Sequence, residues 1–363
     1  MFEELAKKLT PWLVGDGPQA SIVLSTRVRL ARNLSGLVFS SRSSAAEKQK
    51  VLELVKLALK KCSFQKGNLV SSAEIDGMDR DFLVERHLIS PDFMRDKDGQ
   101  GVFISNDEST SIMVNEEDHL RIQALKSGFQ LKQCYQEVSR LEKELSQYLK
   151  FEHDKQFGYL TSCPTNVGTG LRGSLLIHLP GMVLTRQIES FIAGVNKAGF
   201  AVRGFYGEGS DVAGNLFQIS NQNTLGRSEE EILADLDKLA SQIIQDEEKA
   251  RQAIFRDAKE EIEDKIWRSY GILRHARLLS SSEVMNLLSA LRLGVSQSVL
   301  EDLSLPIINE VLFLSQPAHL QKYFNRTMNS QERDVSRAEL VRSKLAATKN
   351  GRKKKRSGPG QEN

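Results

Sequence analysis

Apolar and polar residues alternate in short blocks over the first two thirds of this chain, and then settle into helical spacing. From Ile22 the positions Leu24, Val28 and Leu30 are apolar while Ser25, Arg27 and Arg29 share the opposite side, as in a strand with one buried face. Val102-Phe103-Ile104 and Ile112-Met113-Val114 flank a polar turn and predict a hairpin over 102–114. At 129–149, Leu131, Cys134, Val138, Leu141, Leu145 and Tyr148 recur at helical spacing. Strands are expected at 171–179 and 215–220, with a helix at about 185–198 between them. Alternation of this kind, with hairpins present, predicts an α+β fold: a mainly antiparallel sheet flanked by helices, rather than a doubly wound sheet.

Near residue 225 the pattern changes. Ser228 with Glu231 makes a capping box, and Ile232, Leu236, Leu239, Ile243 and Ile244 form the apolar stripe behind it. Ser280 with Glu283 opens another helix in the same way. Glycine becomes scarce and strand patterns vanish. The expected organisation is therefore an α+β domain over 1–225, an all-α domain over 226–345 and a disordered basic tail over 346–363 that carries Arg352-Lys353-Lys354-Lys355-Arg356.

Charge and composition narrow the classes. The chain has 363 residues, 40% of them hydrophobic and 27% charged, as in an ordinary globular protein. Its net charge of +3 sits largely in the tail, so the folded part is near neutral and nucleic acid is not expected as a direct partner. The three cysteines, Cys62, Cys134 and Cys163, form no CxxC pair and suit a reducing compartment. Residues 1–17 are polar and broken by Pro11, unlike a signal peptide, and no apolar run approaches the roughly 20 residues of a membrane span. A cytoplasmic protein with no membrane partner is expected.

Four segments carry candidate chemistry. Arg27 and Arg29, two apart on a strand, project from one face and suit a polyphosphate, whose oxygens each guanidinium can bind in pairs. In Asn115-Glu116-Glu117-Asp118-His119-Leu120-Arg121, Glu117 and Arg121 share a face whether the segment is helix or strand. They form either a simple ion pair or a base beside a phosphate clamp. Cys163-Pro164-Thr165-Asn166-Val167-Gly168-Thr169-Gly170-Leu171-Arg172 is a tight turn presenting a thiol, followed by a strand that starts with Arg172 and Ser174 on its polar side. Arg203-Gly204-Phe205-Tyr206-Gly207-Glu208 opens a glycine-rich loop able to approach a ligand closely. Gly168, Gly170 and Gly173 also match G-x-G-x-x-G, but a Cys-Pro turn precedes them and a strand follows, the reverse of a dinucleotide site.

Taken in order, Ser25-Thr26-Arg27-Val28-Arg29, the acidic segment ending at Arg121, the Cys163-Pro164-Thr165-Asn166 turn and the Arg203 loop resemble the catalytic domain of phosphagen (guanidino) kinases over residues 20–225. Kinases of small guanidino compounds carry a helical domain ahead of the first arginine pair. Here that pair begins at residue 27 and helices follow the catalytic part, as in the bacterial protein-arginine kinases of the heat-shock response. Arg333-Asp334-Val335-Ser336-Arg337-Ala338 matches the R-D-x-x-R-A motif with which those kinases bind phosphoarginine.

The resemblance implies the following roles. ATP would lie against Ser25, Arg27, Arg29, His87, Arg121, Arg172, Gly173, Ser174, Arg203, Gly204 and Gly207, with His87 beside the adenosine and Mg²⁺ held mainly by phosphate and water. Glu117 would act as the base, Glu208 would hold the other side of the guanidinium, and Cys163 would add a thiolate contact, its pKa lowered by neighbouring arginines. Arg333, Asp334, Arg337 and Ala338 would bind phosphoarginine. Implied partners are unfolded proteins and a heat-shock repressor as substrates, a zinc-binding activator, a Clp-type unfoldase and protease, and further copies of the chain. A phosphoarginine-binding adaptor and a free-arginine kinase are the alternative readings.

Overall fold

The computed structural model describes residues 2–63, 66–94, 98–204 and 213–356. Its strands are β1 (Val23–Arg32), β2 (Gly67–Ser71), β3 (Gly101–Ser105), β4 (Thr110–Val114), β5 (Leu120–Ser127), β6 (His153–Asp154), β7 (Gly158–Tyr159), β8 (Leu171–His178), β9 (Phe200–Gly204) and β10 (Leu216–Asn221). The helices before residue 225 are α1 (Phe2–Ala6), α2 (Ala45–Lys61), α3 (Gly77–Glu85), α4 (Leu131–Leu145), α5 (Pro180–Leu184) and α6 (Ile188–Lys197). Beyond it come α7 (Glu229–Asp257), α8 (Lys259–His275), α9 (Ser281–Ser296), α10 (Leu305–Leu314), α11 (Pro317–Phe324) and α12 (Ser330–Arg356).

The sheet runs β2-β3-β4-β5-β1-β8-β10-β9, with all these neighbours antiparallel, as the hairpin patterns predict. The expected hairpin is β3 against β4, with Val102 opposite Met113 and Phe103 opposite Ile112. One sheet face presents Val28, Leu30, Ile122, Ala124, Leu171, Leu175, Phe217 and Ile219 to the apolar stripes of α4 and α7. On α4 the stripe is Cys134, Val138, Leu141 and Leu145; on α7 it is Ile232, Leu236, Ala240, Ile243 and Ile244. The Ser228–Glu231 capping box that starts α7 makes both of its hydrogen bonds, and Ser280 caps α9 through the Glu283 N–H.

Composition changes at 225, but packing changes later. The apolar residues of α7 from Ile232 to Ala250 belong to the sheet core, whereas Ile254 joins the helical cluster of Ile262, Leu288, Val311 and Val341. That cluster also takes in Leu24, Leu176 and Leu216, so helices cover one end of the second sheet face. Helix α12 runs to Arg356, into the stretch expected to be disordered. Lysine and arginine are good helix formers, and a helix anchored by Ala338, Val341 and Leu345 needs no further nucleation to extend.

A buried polar network ties α7 to the sheet. Glu247 accepts hydrogen bonds from the Gly181 and Met182 N–H groups at 2.9 and 3.0 Å, satisfying the open start of α5, and pairs with Arg251 at 2.6 Å. Arg251 also reaches the His178 carbonyl at the end of β8, at 3.1 Å. Both partners are buried, so removing one leaves an uncompensated charge. Arg251→Met is expected to lower unfolding free energy by roughly 3–5 kcal/mol in urea titration. Arg256→Met, which breaks only the exposed pair with Asp257, should leave the midpoint nearly unmoved.

Candidate active site

The pleat decides which side chains meet. In the register of the sheet, Arg29 lies opposite Arg172 on β8 and Gln123 on β5, while Arg27 lies opposite Ser174 and Leu125. Arg121 pairs with Ala31, and Arg203 pairs with Gln218, itself opposite Leu176. With a period of two along every strand, Arg27, Arg29, Arg121, Arg172 and Arg203 all project from the face opposite the α4–α7 core. Four strands thus converge five guanidinium groups.

Few carboxylates answer this charge. Arg27 donates to Gln218 Oε1 at 3.2 Å and Arg172 to Ser220 Oγ at 3.1 Å, both neutral partners. The buried Nε atoms of Arg29 and Arg172 have no hydrogen-bond partner. Burial, and then the neighbouring Arg121 and Arg172, bring the Arg27 pKa down to about 10. Arg29 falls well below its ordinary value through burial and then Arg27, Arg121 and Arg172. Arg172 is lowered by burial and by Arg203 and Arg121. Unmet donors beside mutually repelling cations make a strong site for a polyanion.

At the rim, the 115–119 turn between β4 and β5 supplies acids. Arg121 pairs with Glu116 at 2.8 Å and with Glu117 at 3.4 Å, and Ser90 Oγ donates to Glu116 at 2.7 Å. Glu117 remains half exposed, receives Asn166 Nδ2 at 3.5 Å and is met by the Cys163 thiol. Partial burial raises the Glu117 pKa, against the opposing pull of Arg121. Cys163 Sγ also lies 3.0 Å from Thr165 Oγ1. The carboxylate and the thiol, far apart in sequence, thus form one rim.

Sequence reasoning missed what holds this rim. Buried Asp118 accepts from Asn33 Nδ2 at 2.7 Å and from the Ser162 N–H at 2.6 Å, joining the acidic turn to the segment that carries Cys163. Asn33 Oδ1 accepts the His119 N–H at 2.9 Å, and His119 Nδ1 accepts the Leu34 N–H at 3.0 Å. The other ring nitrogen, Nε2, faces the Val38 carbonyl at 2.9 Å, so it carries the proton of a neutral ring. Burial lowers the His119 pKa in agreement. Arg32 supports the glycine turn by donating to the Thr169 carbonyl at 2.8 Å and stacking 3.5 Å from the Tyr159 ring centroid. In that turn Gly168 has φ of 109°, and a Cβ there would strike the Thr224 carbonyl. The only local signal for these supports was a cluster of polar residues at strand ends.

Other expected residues are placed as follows. Ser25, Arg27, His87, Leu125, Ser174 and Gln218 line one cleft on the arginine face. Gly173 does not join them: it lies on the opposite face, where its Cα side meets Leu236 of α7, because its parity is that of Leu171 and Leu175. Gly204 likewise points away from Arg203 and ends β9. Gly207 and Glu208 lie outside the described residues. Arg337 and Ala338 are not surface groups. Arg337 is buried, bonding the Ser315 and Leu279 carbonyls at 2.8 Å each and Asp334 at 2.6 Å, and Ala338 sits in the helical cluster. A spacing of four sets Arg337 on one inner face with Val341, and Ala338 adjoins it. Arg333 and Asp334 are half-buried, with Arg333 donating to the Met328 carbonyl at 2.9 Å. Among the described residues no group of three His, Cys, Asp or Glu side chains is gathered to hold a metal, and no helix is long and apolar enough to cross a membrane.

Residues 50–250 match the family model of the ATP:guanido phosphotransferase C-terminal catalytic domain, and residues 259–356 that of the protein-arginine kinase McsB C-terminal domain. The chain is 46% identical to a protein-arginine kinase of Symbiobacterium thermophilum over 95% of this chain and 99% of that one. It is 45% identical to the protein-arginine kinase of Desulforamulus reducens over 96% and 99%. Among solved structures, the duplicated taurocyamine kinase of Schistosoma mansoni with transition-state analogue components matches 63% of this chain and 33% of its own length, at 27% identity and a TM-score of 0.58. A lombricine kinase structure matches in fold at 24% identity and a TM-score of 0.58, over 67% of this chain and 70% of that one. The arginine-lined sheet, its acidic rim and the appended helices therefore belong to a member of the protein-arginine kinase family, phosphotransferases whose acceptor is a guanidino nitrogen.

Proposed function

We propose that this chain transfers the terminal phosphoryl group of ATP to arginine side chains of proteins, with Arg27, Arg29, Arg121, Arg172 and Arg203 as the phosphate clamp. The observation that carries this reading is the convergence of these arginines on one sheet face beside a carboxylate of raised pKa. Mg²⁺ would enter with the nucleotide, on phosphate oxygens and water, and add to the charge neutralisation by the arginines. Ser25, Ser174 and His87 line the nucleotide cleft in this reading.

A guanidinium is not nucleophilic while protonated, so transfer needs a base at the rim. Glu117 takes that role, its raised pKa making it a better proton acceptor than an ordinary carboxylate. Cys163 adds a second contact to the acceptor, and Glu208 is assigned its opposite side. A loose transition state leaves positioning and charge to supply most of the acceleration.

In the helical part we divide the chain at Ala258, where α7 ends. We assign phosphoarginine contact there to Arg333 and Asp334, with Arg337 as the buried brace behind Asp334. Unfolded proteins and a heat-shock repressor as substrates, a zinc-binding activator, delivery to a Clp-type protease, self-association and a cytoplasmic setting complete the reading. Their support is the family likeness alone.

The direct test is incubation with Mg-ATP and either an unfolded protein or free arginine, read by mass spectrometry at neutral pH, because the P–N bond is acid-labile. Phosphoarginine on the protein and none on the free amino acid is expected. Transfer to free arginine would move the reading to a metabolite kinase, and no product despite ATP binding would move it to an adaptor. Glu117→Gln should lower kcat by roughly 10²–10⁴-fold while ATP affinity measured by calorimetry is kept. Because the base must be ionised, kcat/KM should fall with acid along a limb displaced above the ordinary glutamate range, and Glu117→Gln should erase that limb.

A further inference from the structure

Residues 85–87 connect the nucleotide cleft to the helical part of the chain. His87 lines the cleft with Arg27 and Leu125, yet it follows α3 in a left-handed conformation, φ 56°, which non-glycine residues adopt only when their surroundings impose it. Its N–H donates to the Val84 carbonyl at 2.9 Å, and its carbonyl accepts from Gln123 Nε2 of β5 at 2.7 Å. The ring is held separately. Trp12 meets it edge to face at 5.3 Å, and Phe313 of α10 stands 6.2 Å away. Trp12 and Phe313 are themselves edge to face at 4.9 Å, buried with Leu13 and Leu125 in one small cluster.

That cluster is anchored from the helical side. Asn309 of α10 donates to the Leu13 carbonyl at 2.7 Å and accepts from Arg292 of α9 at 2.5 Å. The residues just before His87 face the same way. Glu85 accepts the Ala318 and His319 N–H groups at the start of α11, each at 2.8 Å. Arg86 pairs with buried Glu108 at 2.5 Å and lies 3.3 Å from His319. Burial brings the His87 pKa down to about 3, which leaves a neutral ring facing the cleft.

We propose that Phe313 and Trp12 are positioning residues for nucleotide binding: they fix the His87 ring as the wall against which the base packs, so that the helical part of the chain completes the nucleotide site. This rests on the reading of the arginine-lined cleft as the ATP site. The arginines bind the triphosphate without help from this wall, so the two halves of the ligand separate the two contributions. Inorganic tripolyphosphate engages only the clamp; ATP engages both.

Calorimetric titration of the full chain with Mg-ATP and with inorganic tripolyphosphate tests this. Phe313→Ala should weaken ATP about tenfold, the scale of one lost aromatic contact, and leave tripolyphosphate affinity within about twofold. Trp12→Phe should keep ATP affinity near the parent value, because the Trp12 Nε1 has no hydrogen-bond partner and only its ring is used. If Phe313→Ala does not fold, Phe313→Leu is read by the same criterion. Equal weakening of both ligands, or no weakening of ATP, would overturn the proposal. His87→Ala and the parent chain separate the two levels: unchanged ATP affinity in His87→Ala overturns the wall and with it the proposal while the clamp stands, whereas binding of neither ATP nor tripolyphosphate by the parent chain removes the nucleotide reading itself. Weakened ATP binding in His87→Ala with unchanged binding in the Phe313 variant removes only the positioning role.

Discussion

Mutual repulsion among closely placed guanidinium groups is the constraint around which this molecule is arranged. Arg27, Arg29 and Arg172 are lowered in pKa first by burial and then by neighbouring arginines, Arg121 in every case, so the cluster is destabilised in the protein without ligand. Such a cluster persists only on a support too stiff to splay. The support is the centre of an eight-stranded antiparallel sheet, backed on its other face by α4 and α7. The destabilisation left in the free protein becomes binding energy for a polyanion, which relieves it on arrival.

Four of the buried arginines that brace the fold obey a different rule. Arg32, Arg86, Arg251 and Arg337 are all buried, and each is paired with a carboxylate. Their guanidinium forks also bond backbone carbonyls, at Thr169, His178, Leu279 and Ser315 among others. These four are satisfied by carboxylates where they brace the fold, whereas Arg27 and Arg172 at the sheet centre meet neutral partners; Arg292, also buried, braces the helices through Asn309 and the Ala20 carbonyl.

Much of this was legible in the sequence because strand alternation and helix capping are local properties. The β1 arginines, the 102–114 hairpin and the α7 capping box were readable from spacing alone. Gly173 was not, since its place on the core face follows from counting along β8 from Arg172, while the motif drew attention to the glycines as a group. The burial of Arg337 was hidden for a related reason. A charged motif on a helix reads as a surface, yet a spacing of four carries Arg337 and Val341 to one inner face with Ala338 beside them. Asn33, Asp118 and His119 could not be found from residue types, because their role lies in contacts between segments distant in sequence. Nor does composition reveal that α7, which begins where strand patterns stop, spends most of its length in the sheet core.

The pleat has a consequence for how the chain finds its fold. Sliding β1 by one residue against its neighbours would exchange Arg27 and Arg29 for Val28 and Leu30, driving charge into the α4–α7 core and aliphatic groups into the cleft. A hydrophobic strand slipped in register is often a tolerable mistake; this one would bury unpaired cations. The residues that make the face fit for phosphate thus also act as proofreaders of strand pairing, and a misaligned chain is rejected during folding by the same electrostatics that later select the ligand.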